Sequence, residues 1–326
     1  MSKASAKSSA EPSAAAAAET FLKTGTMADF TKIYHRHSYS AISPSALPNS
    51  QSGRTVLIAG ASTGIGRSIS RSFAAAGAAR TILVGRTLAT LEKAALTIPN
   101  AEARVCDISS LESVEGLWNS LKQDGIHVDT LILNAAAASI VGSLKTGWRE
   151  IWGVFETTVL GNLRMVQGFV DQMGNKQGHA LISISSFMAH SNPAPGQGAY
   201  SASKAALANL LQHLAEEIPA IDAQIINVHP GAILTDAARS VGMTEDSFPW
   251  DDENLPGDFC VWASTKAAAF LHGRFVWANW DVDELMARNT EICSQAGMLK
   301  IGLQGAEYVD IRNIFQKVIE KEKSTV

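Results

Sequence analysis

The feature that most constrains the fold is a short apolar segment that runs directly into a glycine-rich turn. Thr55 to Ile58 are four apolar or β-branched residues in a row, too few for a buried helix but suited to a buried parallel strand. Gly60, Gly64 and Gly66 follow, and the residues from Arg67 to Ala74 predict a helix. A strand, a glycine turn and a helix in this order place unpaired backbone N–H groups at the positive end of a helix dipole, which is typical of a pyrophosphate site. The turn alone is weak evidence, because any tight strand-to-helix connection uses glycine.

Segments that suit strands alternate with helical segments along the rest of the chain. The further predicted strands are Thr81–Val84, Ala103–Cys106, Val128–Leu133, Ala180–Ile184 and Gln224–Val228, and the further predicted helices are Leu88–Leu96, Leu111–Lys122, Trp148–Met173 and Tyr200–Glu217. This rhythm predicts an α/β fold: a Rossmann-type, doubly wound parallel sheet with helices on both faces, in a single domain with an N-terminal extension. Ligands of such sheets bind beyond the carboxyl ends of the strands.

Composition restricts the classes of partner and compartment. The net charge of −4 gives no electrostatic reason to expect nucleic acid, and no apolar run approaches the ~20 residues of a membrane span. Three widely spaced cysteines form no zinc pattern and fit a reducing compartment, so we expect a cytoplasmic protein. Residues 1–30, rich in Ala, Ser and Lys, predict a disordered tail, with a transit peptide as the alternative, and residues 31–53 predict an extended arm.

A tyrosine and a lysine share one face of the last long predicted helix. Tyr200 and Lys204 are four residues apart, and Ser185 and Ser186 precede them by one loop. A nearby ammonium favours a phenolate and so lowers the pKa of a tyrosine, which makes the phenol usable as an acid or base near neutrality. A Tyr–Lys pair at this spacing also arises by chance, so its position after Ser186 is what gives it weight.

Together these stretches resemble the short-chain dehydrogenase/reductase family over roughly residues 54 to 240. The matching stretches are Gly60-x-x-x-Gly64-x-Gly66, Asn134-Ala135-Ala136-Ala137, Ile184-Ser185-Ser186, Tyr200-x-x-x-Lys204 and Pro230-Gly231-Ala232-Ile233-Leu234-Thr235. The segments 41–44 and 273–281 are similar to fungal members, many of them from secondary metabolism. The resemblance implies that Tyr200 is the catalytic acid/base, that Lys204 holds the nicotinamide ribose and lowers the pKa of Tyr200, and that Ser186, in preference to Ser185, binds the substrate oxygen.

The resemblance also assigns a cofactor site. Arg86 follows the second strand, and no carboxylate occurs between Arg80 and Thr90, where an enzyme that uses NAD usually carries one. Because a guanidinium can pair with a 2′-phosphate, NADP(H) is favoured over NAD, although Arg86 as a solvated surface residue is the plain alternative. The residues expected to bind the cofactor are Gly60, Ser62, Thr63, Gly64, Ile65, Gly66, Arg86, Asp107, Ile108, Asn134, Ala135, Tyr200, Lys204, Pro230, Gly231, Ile233 and Thr235.

One position departs from the family pattern. Thr158 stands in the long predicted helix where the family usually carries an asparagine that supports a proton relay. A threonine hydroxyl can hold a water but has fewer hydrogen-bonding sites than an amide. We therefore list Thr158 with the catalytic residues as part of an altered relay, with loss of redox activity as the alternative and Asn162 as a less favoured substitute.

The function predicted from these features is the interconversion of a carbonyl and an alcohol on a small organic substrate by an NADP(H)-dependent oxidoreductase. Two alternatives are an NADP-bound isomerase, dehydratase or cyclase without net redox chemistry, and a non-catalytic dinucleotide-binding protein. Family resemblance further implies a domain over 54–326 with a substrate-covering lid near 237–270, and a homodimer or homotetramer. The lid aromatics Trp250, Phe259 and Trp262 either line a pocket or pack the lid; His190 and His229 are expected to be structural, and no metal site is predicted.

Overall fold

Seven parallel strands form the centre of the structure, a computed structural model that describes residues 30–137, 147–191, 196–240, 242–303 and 320. Their order across the sheet is β3-β2-β1-β4-β5-β6-β7. This arrangement confirms the predicted doubly wound, Rossmann-type parallel sheet. The strands are β1 (Thr55–Ala59), β2 (Arg80–Gly85), β3 (Ala101–Val105), β4 (Thr130–Leu133), β5 (His179–Ile184), β6 (Ala223–His229) and β7 (Arg274–Trp277).

Helices cover both faces of this sheet. In chain order they are α1 (Gly64–Ala75), α2 (Leu88–Ala95), α3 (Leu111–Gln123), α4 (Trp148–Phe155), α5 (Asn162–Met173), α6 (Gly198–Glu217), α7 (Asp236–Ser240), α8 (Asn254–Ala263), α9 (Val282–Ala287) and α10 (Asn289–Ser294). Side chains of α1, α2 and α8 belong to the apolar core on one face, and those of α3, α5 and α6 to the core on the other. No helix within the described ranges is both long and apolar enough to cross a bilayer.

Strand residues alternate between the two cores, as a buried sheet requires. Val56 and Ile58 lie in the core that contains Phe73 of α1, whereas Leu57 lies in the core that contains Phe169 of α5, and all of these side chains are fully or almost fully buried. Because successive strand residues point to opposite faces, a continuous apolar run such as that of β1 fits only a strand covered on both sides.

Two elements differ from the sequence-based expectation. The helix predicted over Trp148–Met173 is divided by a π-helical segment, Glu156–Gly161, that contains Thr158. The strand β7 was not predicted at all, because its four residues, Arg274 to Trp277, are too few to show a period. All four are nevertheless buried, and β7 pairs with β6 at the sheet edge.

The segment between residues 30 and 53 runs from the edge of the sheet near β7 to the turn between α1 and β2, where Ser52 forms an isolated antiparallel bridge with Ala78. Tyr34 forms an isolated antiparallel bridge with Trp280, and the hydroxyl of Tyr39 donates to the Trp280 carbonyl at 3.1 Å. Ile42 is fully buried in the core. The predicted tail lies outside the described residues except for Phe30, whose ring centroid is 4.8 Å from that of Trp280.

Candidate active site and cofactor cleft

The glycine turn after β1 packs so tightly against neighbouring atoms that side chains at its glycines would be crowded. Gly60 has φ +77° and Gly64 has φ +51°, which is the left-handed region that glycine adopts without strain. A Cβ at Gly66 would collide with the carbonyl oxygen of Gly60, so α1 can start this close to β1 only with glycine there. Thr63 precedes α1 and makes no side-chain cap, which leaves the first backbone N–H groups of the helix directed at the cleft.

Asn134 fixes this turn from the neighbouring strand. Its side-chain amide, just beyond β4, donates to the Gly60 carbonyl at 2.8 Å. A Cβ on Gly60 would approach Asn134 and Ala135 to about 3.0 Å, so the two loops are in close contact. The structure therefore brings the two sequence-predicted stretches at 60–66 and 134–135 together at the carboxyl edge of the sheet.

Asp107 and Arg86 lie at the ends of β3 and β2, on the same edge. Asp107 accepts hydrogen bonds from the hydroxyl and backbone N–H of Ser109, and these, with the nearby charge of Arg86, lower the pKa of its carboxyl group. Arg86 is exposed, and Ile108 is buried. A Cβ on Gly161 would lie 2.7 Å from the Ile108 carbonyl oxygen, so the π-helical segment packs against this loop.

Ser186, Tyr200 and Lys204 meet beyond the end of β5. A hydrogen bond joins the hydroxyl of Ser186 to the phenol of Tyr200, and Lys204, one helical turn on, lies with its amino group 5.8 Å from the centroid of the Tyr200 ring. The Lys204 amino group is buried and donates to the Ile184 carbonyl at 2.7 Å. The hydroxyl of Ser185 has no hydrogen-bond partner among the described residues, so of the two serines Ser186 is the one joined to the phenol.

The electrostatics of this group differ from the sequence-based expectation. Burial raises the pKa of the Tyr200 phenol, and the hydrogen bond from Ser186 only partly opposes it. Burial also lowers the pKa of Lys204 to about 8. The sequence-based expectation of a lowered pKa for Tyr200 thus differs from the raised pKa in the protein without cofactor, while the influence of Lys204 on the phenol stays a prediction.

Thr158 is fully buried beside this group, in the π-helical segment. Its hydroxyl accepts a hydrogen bond from the backbone N–H of Ala137 at 3.3 Å. The side-chain amide of Asn162 donates to the carbonyls of Ala135 and Thr158 at 2.9 and 2.8 Å. The Asn162 Oδ1 atom is buried without a partner among the described residues. Threonine and asparagine together thus tie the helix to the loop after β4.

The loop after β6 forms the opposite wall of the cleft. A Cβ on Gly64 would lie 3.3 Å from the methyl group of Thr235, which shows how closely this loop approaches the glycine turn. Gly231 adopts φ +89°. The Asp251 carboxylate accepts from the backbone N–H of Ala232 at 2.8 Å and holds the loop from behind. Pro230 and Ile233, which were also predicted to bind the cofactor, belong to the same loop. Sequence analysis gave Asp251 no role, since nothing nearby in the sequence marks its partner.

The segment expected to form a lid consists of two different parts. Residues 255–263 of α8 are all buried, and Gly257 packs against Ser68 and Ser72 of α1, so this helix belongs to the core. Phe259 and Trp262 accordingly pack the interior. Trp250 lies outside the core, where its indole donates to the Thr244 carbonyl at 2.8 Å. The part before α8 adjoins the cleft through the contact between Asp251 and Ala232.

An aromatic cluster flanks Ser186. The Phe187 and His229 rings meet edge to face at 5.2 Å between centroids, and Trp277 contacts both His229 and His190. Burial lowers the pKa of His229 to about 3, so its imidazole is neutral. Both histidines therefore lie in an aromatic cluster next to Ser186, and the structural role expected for them stays a prediction.

A parallel sheet of this order, with a glycine turn at its centre and a serine, tyrosine and lysine beyond β5, defines a Rossmann-type oxidoreductase. A family model described as short chain dehydrogenase matches residues 54–246. The chain belongs to the short-chain dehydrogenase/reductase family, whose members bind a nicotinamide dinucleotide and act on small molecules.

Curated fungal relatives match over most of their length. A short chain dehydrogenase/reductase of Claviceps purpurea is 36% identical over 286 residues, which is 84% of this chain and 94% of the relative. The short chain dehydrogenase/reductase nsrO of Aspergillus novofumigatus is 34% identical over 84% of this chain and 96% of its own.

Solved structures share the fold. A short chain dehydrogenase/reductase family protein has a TM-score of 0.62 at 26% identity, covering 71% of this chain and 98% of its own. A 7α-hydroxysteroid dehydrogenase in complex with NADH and 7-oxo glycochenodeoxycholic acid has a TM-score of 0.65 at 23% identity, covering 74% and 97%. At that identity the second likeness supports the fold only.

Proposed function

We propose that this protein is an NADP(H)-dependent oxidoreductase that interconverts a carbonyl and an alcohol on a small organic substrate. The observation that carries the proposal is the hydrogen-bonded pair of Ser186 and Tyr200, with buried Lys204 one turn away, at the same edge of the sheet as the glycine turn. A proton donor and a second hydroxyl on one substrate oxygen are what hydride transfer to a carbonyl requires, because negative charge develops on that oxygen.

The cleft suits a dinucleotide by the polarity of its glycine turn. Gly60 and Gly66 let the turn close tightly against Asn134, and the backbone N–H groups at the start of α1 are open to a pyrophosphate. Asn134 and the loop of Gly231 and Thr235 would hold the two ends of the cofactor. When bound, the nicotinamide supplies or accepts the hydride.

Arg86 is the residue that favours NADP(H) over NAD(H). It is exposed at the end of β2, where no carboxylate lies between residues 80 and 90 to repel a 2′-phosphate. A guanidinium pairs well with a phosphate. Arg86 acts on Asp107 through its charge, which leaves its N–H donors available to a 2′-phosphate.

Three side chains would carry out the chemistry. Tyr200 keeps its proton at neutral pH because burial raises its pKa, which suits a donor in the direction of reduction. Ser186 orients the substrate oxygen through its hydroxyl, which in the protein without substrate is hydrogen-bonded to the Tyr200 phenol. Lys204, with a pKa of about 8, is largely protonated at neutral pH and can hold the ribose of the cofactor. Thr158 and Asn162 together would position the loop after β4, the part that we assign in other family members to the asparagine at the position of Thr158.

The substrate is proposed to be a flat or apolar carbonyl compound, such as a secondary metabolite. The half-buried aromatic rings of Phe187 and His190, next to Ser186, support this choice, since aromatic walls favour such ligands. The free cysteines, two of them buried, support a cytoplasmic location.

Exposed apolar side chains on helical segments of the domain support a homodimer or homotetramer; they are Trp148, Trp152, Leu160 and Leu210. Light scattering after gel filtration measures the oligomeric state.

A second candidate is an NADP-bound enzyme without net redox chemistry, and Thr158 is the observation that favours it. The Thr158 hydroxyl already accepts a hydrogen bond from the Ala137 N–H and is fully buried. It is therefore less available to a proton relay than an exposed amide would be. Under this candidate, product forms while absorbance at 340 nm stays constant.

The deciding experiment measures NADPH consumption with a panel of aryl ketones, quinones and polyketide-like carbonyls, in parallel with NADH. We expect turnover on at least one flat carbonyl, faster with NADPH, and none in Tyr200→Phe. Product formation at constant 340 nm absorbance would support the second candidate, and NADPH binding without any product across the panel would reject both in favour of a dinucleotide-binding protein.

A further inference from the structure

The edge of the sheet opposite the glycine turn carries three neighbouring side chains of the types that can ligate a metal ion. His127 lies in the turn before β4, Asp129 immediately precedes β4, and His179 is the first residue of β5. The backbone N–H of Ala180 donates to the Asp129 carbonyl at 3.0 Å, which sets the starts of β4 and β5 side by side. Because strands in this sheet are parallel, this edge is a full strand length from Asn134 and Ser186.

The imidazole rings of His127 and His179 point their Nε2 atoms at each other. The Nε2 atoms of His127 and His179 are 2.9 Å apart, and one ligand atom from each of His127, Asp129 and His179 lies within 4.8 Å of the other two. Two histidine nitrogens on one tetrahedral zinc ion, each at 2.0–2.1 Å from the metal, are roughly 3.3 Å apart. A shift of a few tenths of an ångström, with the proton between the two Nε2 atoms moved to Nδ1 of His127, therefore converts the hydrogen-bonded pair into a pair of ligands.

The surroundings fix the ring of His179 in the form that a metal needs. Its Nδ1 atom is 3.1 Å from the carbonyl of Asp222, which can only accept, so Nδ1 carries the proton and Nε2 presents its lone pair. His179 is buried, and its ring lies edge to face against Phe169. A histidine that binds a metal usually donates its other ring N–H to a backbone carbonyl or a carboxylate, which fixes the orientation of the ring.

The carboxylate of Asp129 is held in the same manner. Asp129 Oδ2 accepts from the backbone N–H of Thr55 at 2.8 Å, at the start of β1. Between His127 and Asp129, the backbone of Val128 makes two hydrogen bonds with the side chain of Gln172, at 2.9 and 2.7 Å. The segment that bears two of the three ligands is therefore fixed to α5 and β1.

Charges around the group both favour and oppose a cation. Arg54 and Lys176 are the nearby cations, but Arg54 is engaged with the Asp129 carbonyl and the Thr130 hydroxyl. Asp129 supplies the negative charge.

We propose that His127, Asp129 and His179 form a binding site for a divalent transition metal of the zinc class, with water as a further ligand. Two imidazoles and one carboxylate are a donor set typical of zinc. The ion would join the starts of β1, β4 and β5, and would stabilise the sheet from the edge that the reaction does not use.

The test uses the full chain, freed of metal by EDTA and dialysis, in a Cys293→Ser background that removes the exposed thiol as a competing ligand. Zinc chloride is titrated by calorimetry and thermal unfolding, and cobalt chloride by visible absorption, whose intensity reports a low-symmetry site. We expect one ion per chain, a rise in Tm, and cobalt bands without the charge-transfer absorption of a thiolate.

Two matched variants decide the assignment. His127→Gln, which replaces a half-buried ligand, should weaken zinc binding at least tenfold and abolish the Tm rise, whereas His213→Gln, at an exposed position of α6, should leave both unchanged. Circular dichroism and NADPH binding confirm that each variant is folded. Absence of saturable binding in the parent chain, or binding that survives His127→Gln with the same affinity, would overturn the proposal.

Discussion

The guanidinium of Arg36, in the N-terminal arm, lies 3.2 Å from the Asp251 carboxylate, with Arg36 Nε donating to Asp251 Oδ1. The other oxygen of the same carboxylate accepts from the backbone N–H of Ala232 at 2.8 Å and from the Asn279 amide at 3.0 Å. One almost fully buried carboxylate thus joins the arm to the loop that faces the glycine turn. The arm is therefore linked to the loop after β6 through a buried carboxylate.

Removing this carboxylate should weaken both the fold and cofactor binding. In Asp251→Ala the N–H of Ala232 and the amide of Asn279 lose a buried partner, each at a cost of about 1–3 kcal/mol. We expect a lower free energy of unfolding in urea and a raised Kd for NADPH. Arg36→Ala should cost less than about 1 kcal/mol, since its side chain is 44% exposed. Equal losses in the two variants would contradict this division.

Replacing Tyr200 by phenylalanine should remove turnover and leave cofactor binding intact. A positioned acid or base contributes about 10²–10⁴-fold to the rate, so kcat should fall by at least that range. Ser201→Ala is the matched control, because it removes a hydroxyl from the same turn of α6 and that hydroxyl makes no hydrogen bond among the described residues. Stopped-flow rates and NADPH fluorescence titration measure the two effects. Turnover that persists in Tyr200→Phe would reject the assigned acid/base.

Reversing the charge at residue 86 should change cofactor preference. Arg86→Asp places a carboxylate at the end of β2, where it repels a 2′-phosphate and can accept from a ribose hydroxyl. The ratio of kcat/KM for NADPH to that for NADH should fall by at least tenfold. Lys93→Asp makes the same charge change at an exposed position of α2 and should leave the ratio unaltered. An unchanged ratio in Arg86→Asp would count against the phosphate contact.

The buried His229 should make the protein less stable in mild acid. Its pKa is about 3 in the folded chain and 6.5 as the ordinary value, so between these values the unfolded state binds more protons. Stability is therefore lost as the pH falls from 6.5 towards 3, by up to about 1.4 kcal/mol per pH unit from this group. Urea titrations of His229→Phe from pH 7 to 4 should show a shallower slope than the parent. His213→Gln, exposed on α6, should keep the parental slope; identical slopes in all three would refute the assignment.

A methyl group at Gly66 should prevent the glycine turn from closing. The added Cβ in Gly66→Ala would meet the Gly60 carbonyl and the Asn134 amide, which are fixed by the strands β1 and β4. We expect a loss of NADPH affinity of at least tenfold, or failure to accumulate folded protein. Gly116→Ala is the control, because α3 has open space at that position. A Gly66→Ala protein with normal cofactor affinity would show that the turn can shift.

Much of the fold follows from local patterns in the chain. The apolar run of β1, the three glycines and the alternation of strands with helices predict the parallel sheet. Each of these features depends only on residues that are close together in the sequence, so it can be read without the structure. The short strand β7 escaped prediction since its four residues lack a measurable period, and the π-helical segment at Thr158 escaped because an extra residue in a helical turn leaves no mark on residue type.

The sequence by itself determined the sheet, the glycine turn, the Tyr200–Lys204 face and the membership of the family, since these depend on spacing along the chain. The tertiary structure alone decided that Asp251 supports the loop after β6, that burial raises the pKa of Tyr200, and that His127 meets His179 across 52 residues of chain. Such contacts and the desolvation that accompanies them arise only when distant segments pack together, and no local pattern of residues encodes them.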